Sequence, residues 1–304
     1  MPIPANTPET TSPATRILTR PKWQAAANEH RERAEALTAT FREFRARGKK
    51  HAIDDFLFTY YSYRPALLHK WHPGIGLELA DAPEYASQRW YTTSGTDADA
   101  TVRVDVAALL ASRHDLVTHI RTLSQAVLDR PAQFGCFGLH EWAMVYKQEE
   151  HRHPIPLRLG QAPTDAVVES HRIQCSHFDA FRFFTPAARP LNQLQPTRAQ
   201  QCALDQAGCL HANMDLYKWA IKLGPLVPGA LLLDAFELAR EIRWLDMRAS
   251  PYDVSDYGVA PVAIETPEGK AQYVRMQREF SQRAQAIRAR LLEVITAAEA
   301  AVGQ

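Results

Sequence analysis

The stretch Cys209-Leu210-His211-Ala212-Asn213-Met214-Asp215-Leu216-Tyr217-Lys218-Trp219-Ala220-Ile221-Lys222-Leu223 reads as a helix. Residues four apart share a helical stripe, so His211 and Asp215 lie on one line and Lys218 and Lys222 on another. The spacing predicts that the first stripe faces the interior and the second faces solvent. Working outward, Gly208 separates this helix from a helical Thr197–Leu204, and Pro228 and Gly229 precede a further helix, Ala230–Met247. After a loop from Ser250, Thr266–Val302 reads as a long helix with Glu268 and Glu279 early and Arg288 and Arg290 later. Upstream, Val106–Asp129 is helical and stopped by Pro131. Pro21–Lys49 repeats Trp23, Ala26, His30, Ala34, Leu37, Phe41 and Phe44 at helical spacing, with a solvated basic end at Arg45–Lys50.

Extended structure is expected in few places. Arg89–Thr93 and Thr101–Val106 are β-prone pieces around Ser94-Gly95-Thr96, and Val167–Phe178 is β-prone as well. The fold class expected is therefore mainly α with a few short strands (α+β), one predominantly helical domain over residues 18–304. Residues 1–17 carry Pro2, Pro4, Pro8 and Pro13 without an apolar stretch, which predicts a disordered tail and no signal peptide.

Composition bounds the partners. Of 304 residues 46% are hydrophobic and 23% charged, enough for a large core. A net charge of +1 supplies no strong basic field for duplex DNA. The longest apolar run, around Leu226–Leu233, is far short of the roughly 20 residues of a membrane span, so no membrane partner and a cytoplasmic location are expected. Cys136, Cys175, Cys202 and Cys209 form no CxxC pair and read as reduced thiols. The phosphate-binding GxxxxGK[ST], GxGxxG, HExxH, GxSxG and zinc-finger spacings are absent, which disfavours P-loop, Rossmann and α/β-hydrolase chemistry.

Four constellations could carry chemistry. If His171–Phe184 is extended, His171, Cys175, His177 and Asp179 share a face, a donor set suited to zinc or iron; the alternative is a half-buried strand with paired polar groups. His211 and Asp215 could supply two metal ligands or a general base with its orienting partner. His140-Glu141, beside Trp142 and a Gly-rich turn, could present a carboxylate of raised pKa, or a surface residue. Arg243 and Asp246, one turn apart, suit a simple ion pair, while Arg248 and Tyr252 just past that helix could join Arg182, Arg189 and Arg198 in an anion pocket.

The runs His177-Phe178-Asp179-Ala180-Phe181-Arg182-Phe183-Phe184-Thr185-Pro186, Gly208 to Ala220 and Leu245-Asp246-Met247-Arg248-Ala249-Ser250-Pro251-Tyr252-Asp253 resemble a family of bacterial proteins commonly labelled "3-methyladenine DNA glycosylase". The likeness spans most of the chain after about residue 50. It carries no recognisable helix–hairpin–helix glycosylase signature: no Gly-rich hairpin is followed by a catalytic Asp. The resemblance implies an N-glycosidase that releases a modified or alkylated base from DNA or a nucleoside, without a cofactor. That chemistry asks for a carboxylate to orient water and an aromatic slot for the base. Asp179 or Asp215, with Glu141 as a further candidate and His211 as partner, would be catalytic. Phe181, Phe184, Tyr217 and Trp219, with Arg182, Arg248 and Tyr252, would hold substrate. The alternative is a zinc- or iron-dependent enzyme acting on a small molecule, its ligands drawn from His171, Cys175, His177, Asp179, His211 and Asp215. A non-catalytic ligand-binding or assembly protein is the third possibility.

Overall fold

The computed structural model describes residues 16–96, 99–151 and 154–303. The N-terminal half opens with β1 (Arg16–Leu18), α1 (Arg20–Leu37) and α2 (Ala39–Ala46), then α3 (Asp55–Tyr60) and α4 (Pro65–Leu68). Strand β2 (Leu77–Ala80), helix α5 (Pro83–Ala86), strands β3 (Tyr91–Ser94) and β4 (Thr101–Val104), and the long α6 (Val106–Asp129) follow. Short helices α7 (Leu139–Ala143), α8 (Gln161–Ser170), α9 (Phe178–Phe181) and α10 (Gln201–Leu204) lead into α11 (Leu210–Leu223), α12 (Gly229–Ala249) and α13 (Pro267–Val302). The chain is mainly α with one small sheet. Among the described residues no helix is long and apolar enough to cross a membrane.

Helices α11, α12 and α13 pack on one another, and α6 lies along α13. Two of these helices have N-termini capped by a side chain. Asp105 caps α6 by accepting from the Ala108 N–H at 2.9 Å, and Thr266 caps α13 by accepting from the Gly269 N–H at 3.1 Å. Almost all of α11 is buried, because α12 covers one flank and α13 another. Gly208, just before α11, approaches the Gln133 carbonyl so closely that a Cβ would lie 2.1 Å from its oxygen. Glycine is what lets α11 sit this deep.

The sheet has the order β1-β2-β4-β3, with β1 parallel to β2 and the remaining pairs antiparallel. It covers a separate cluster of Trp23, Leu79, Tyr85, Tyr91, Val102 and Val104. The β3–β4 pair matches the expected strand pieces. Three expectations are corrected. Residues 1–15 of the expected tail lie outside the described residues, but Arg16 and Ile17 are in β1, tied to Leu77 and Glu78. The Pro21–Lys49 helix breaks at Thr38, whose hydroxyl donates to the Ala34 carbonyl at 2.7 Å. Val167–Ser170 ends helix α8, and of the β-prone run only Ile173 makes a bridge, to Asn192. Helical hydrogen bonds already satisfy the backbone up to Ser170, so the β-branched valines there are overruled by tertiary context.

Candidate functional site

The site begins at a turn. Phe137 and Gly138 both take left-handed backbone, with φ of 51° and 73°. Gly138 adopts this readily and a bulky residue such as Phe137 does not. The turn drives α7 into the interior, so His140 and Glu141 are buried against α12. There Asp246 accepts a hydrogen bond from His140 Nε2 at 2.7 Å, and Arg243 Nη1 donates to Asp246 Oδ2 at 2.8 Å and Glu141 Oε1 at 2.9 Å. Arg243 is 1% exposed and Asp246 0%. Charges this deep persist only because they are paired. The guanidinium lies over the Phe56 ring at 4.2 Å, yet its Nε and Nη2 donors are buried without a partner.

A second cluster forms where α9 meets α11. His177 Nδ1 donates to Asp205 Oδ1 at 3.1 Å, and its Nε2 lies 3.8 Å from Asp215 Oδ2. Lys218 Nζ sits 2.7 Å from Asp215 Oδ2 and 3.4 Å from Asp179 Oδ2. The Tyr61 hydroxyl donates to the other Asp215 oxygen at 3.0 Å, and Arg182 and Arg198 reach Asp179 at 3.3 and 3.4 Å. An ammonium already occupies the point where the carboxylates converge.

His211 stands between the clusters. Its ring centroid is 4.5 Å from that of His140 and 5.6 Å from that of His177. Among the described residues its imidazole makes no hydrogen bond, and the residue is 8% exposed. A ligand atom from each of His140, His211 and Asp246 falls within 4.8 Å of the other two, and the same holds for His177, Asp179 and Asp215. Two cavities of about 10 Å³ adjoin the His211 ring. One is lined by Cys136, His140, Cys175, His177 and Tyr273. The other is lined by Phe56, Tyr60, Glu141, Asp179 and Phe183. A volume of roughly 10–15 Å³ holds one water.

Burial opposes the charge on His140, but the Asp246 carboxylate outweighs it and holds the imidazole pKa well above the ordinary value. Burial works likewise against the charge on Asp246, and His140 and Arg243 overcome it, so its carboxyl titrates below the usual range. Glu141 is pushed up by burial despite Arg243. His211, with burial and the neighbouring His140 both disfavouring a proton, is held neutral well below its ordinary value. Against the cost of burial, His177 is raised by Asp205, and Asp179 is lowered by Lys218, His177, Arg182 and Arg198.

Of the residues expected from sequence, the structure brings together Glu141, His177, Asp179, His211 and Asp215, with His140 beside them. It leaves others apart. His171 belongs to neither cluster; its Nδ1 bonds the Val167 carbonyl at 2.6 Å. The expected strand face fails because the chain there is coil between two helices. Cys175 lines one cavity, but burial raises its pKa well above the ordinary value and its thiol donates to the His177 carbonyl, so it stands as a thiol. Phe181 and Phe184 pack on each other in the core at 5.1 Å. Tyr217 packs on Tyr61, Tyr63 and Phe236, and Trp219 lies against His119, Lys218 and Lys222. None of these four lines either small cavity. Arg248 donates to the Ala260 carbonyl and Tyr252 is buried in a different apolar cluster, so the expected arginine pocket does not assemble. Arg182 lies on Asp179, and Arg189 donates to the Arg182 carbonyl. Lys218, expected in solvent, is largely buried as the counter-ion of Asp215. Sequence reasoning does not single out Asp205 and gives Arg243 and Asp246 only as a simple pair. A signal was available: both lie among the apolar Ile242, Leu245 and Met247, and a charge inside such a run needs a buried partner.

No family model matches this chain, and neither does any curated protein or solved structure.

Proposed function

We propose that the chain is a metal-dependent enzyme acting on a small molecule, with His140, His211 and Asp246 as the ligands of a zinc or iron ion. The observation that carries this reading is His211: a buried, neutral imidazole without a hydrogen-bond partner, within 4.8 Å of donor atoms on His140 and Asp246. Ligands at about 2.1 Å from an ion are spaced about 3 Å apart in cis and about 4.2 Å in trans, so a small side-chain shift closes this set on an ion. Two histidines and one carboxylate leave positions open for water or substrate. The ion would take the place of the proton shared by His140 and Asp246, and Arg243 would orient Asp246 from behind. Glu141, its pKa raised beside a water-sized cavity, is placed to exchange protons with a bound water. Metal analysis of protein purified without chelator tests this. About one zinc or iron per chain, lost in His211→Ala and kept in His171→Ala, is the expected result. A protein that neither retains nor takes up either ion would overturn it.

A second reading, the base-releasing N-glycosidase acting on DNA or a modified nucleoside, is favoured by Asp179 together with the family resemblance. Lys218, Arg182 and Arg198 keep this carboxylate ionised at the edge of a water-sized cavity walled by Phe56, Tyr60 and Phe183. An ionised carboxylate beside one water suits stabilisation of an oxocarbenium-like state, with no cofactor. Base release from alkylated DNA or nucleoside by chelator-treated protein, abolished in Asp179→Asn, is its expected signature. Activity that persists in that variant would remove it.

A further inference from the structure

On the outer face of α13, beside the turn that precedes α7, lies an open groove of about 620 Å³ lined by Phe137, Lys270, Val274, Arg275, Arg278 and Glu279 among others. Its cations differ from those that pair with carboxylates elsewhere in the fold. Arg33, Arg158, Arg240, Arg283 and Arg290 all lie on carboxylates. Among the described residues, Lys270 and Arg278 touch only aromatic rings, Phe137 at 5.9 Å and Phe134 at 4.8 Å, and the Arg275 side chain has no partner. Three cations within about two helical turns repel one another, and the single acid of the lining, Glu279, pairs with none of them. The groove therefore carries more positive than negative charge and offers ring faces beside it.

The groove also adjoins the buried site. Phe137 contacts the Tyr273 ring at 6.4 Å, and Tyr273 and Cys136 line the small cavity next to His140 and His211. Phe137 thus lies between the groove and Tyr273, and it is one of five non-glycine residues with positive φ among the described residues.

We propose that this groove binds a small aromatic phosphate, its dianion on Lys270, Arg275 and Arg278 and its ring against Phe137. The ligand class follows from the lining. Three unpaired cations call for more than one negative charge, and a ring face beside them calls for a planar apolar group. Binding at this groove does not depend on the metal reading. The test uses chelator-treated full-length protein, so loss of the metal cannot cause loss of binding. Phenyl phosphate, inorganic phosphate, phenol and a short oligodeoxythymidylate are titrated by calorimetry. Phenyl phosphate binding at least 10-fold tighter than inorganic phosphate or phenol, and weakened at least 10-fold in R275A/R278A and in F137A, is expected. R275A/R278A should keep the wild-type metal content when it is not stripped. Binding unchanged in R275A/R278A, equal binding of phosphate with and without the ring, no binding of phenyl phosphate, or tight binding of the oligonucleotide alone would each overturn the proposal.

Discussion

The two histidine–carboxylate clusters flanking His211 are built from similar parts and end in different states. Around Asp215 every charge is answered: Lys218 fills the space between Asp215 and Asp179, His177 is held by Asp205, and Tyr61 takes the remaining Asp215 oxygen. Around Asp246 the carboxylates are neutralised by Arg243 and His140, but two Arg243 donors are buried without a partner, and the nearby His211 imidazole makes no hydrogen bond. Buried polar groups are nearly always hydrogen-bonded, because leaving one unpaired costs about 1–3 kcal/mol. A saturated cluster needs nothing from outside. An unsaturated one marks where a ligand, ion or water completes the structure, and this contrast makes the Asp246 cluster the candidate centre.

The largest effect should come from breaking the charge balance there. Arg243→Met leaves Glu141 buried without its cation and Asp246 with His140 alone, and a loss on the order of 3–5 kcal/mol is expected in denaturant unfolding. A loss below about 1 kcal/mol would show that the network does not hold the helices together. The matching change in the other cluster, Lys218→Met, should cost less, about 1–3 kcal/mol, because Arg182, Arg198, Tyr61 and His177 still serve the two carboxylates. That variant also sharpens the comparison. With the ammonium gone, His177, Asp179 and Asp215 should acquire a divalent-cation site measurable by calorimetry, whereas the wild type should show none there. Failure to gain a site would mean that Lys218 is not what fills it.

The clusters should also separate along pH. Both His140 and His177 have folded pKa values raised above the unfolded value of about 6.5. Their protonated pairs therefore contribute stability that is complete below about pH 6.5 and lost as pH rises through each folded pKa. His140, raised further by its 2.7 Å contact with Asp246, should keep its proton to higher pH than His177. Imidazole NMR titration of chelator-treated protein would read the order directly, and the reverse order would contradict the ranking of the two contacts. The smallest effect belongs to His171→Ala. It should leave metal content unchanged and cost on the order of 1 kcal/mol for its lost hydrogen bond to the Val167 carbonyl. A drop in metal content would return His171 to the site.

Much of the helical frame was readable along the chain. The Thr266 cap, Gly208 before α11 and the proline after Asp129 are local signals, and local chemistry decides where helices begin and end. The His211–Asp215 stripe was readable too, because four-residue spacing places side chains on one face whatever the helix packs against. What that stripe meets was not readable. Asp246 is 106 positions from His140 and Arg243 is 102 from Glu141, and no periodicity links such distant positions. The expected strand through His171–Asp179 failed for the same reason: β propensity there describes a preference that packing overruled. The sequence by itself determined most of the long helices and the residue types able to do chemistry, but not every buried face, since Lys218 turns inward. Only the tertiary structure decided that His211 turns toward Asp246 while Asp215 is closed by Lys218, because pairing a buried charge is a non-local choice made when helices dock.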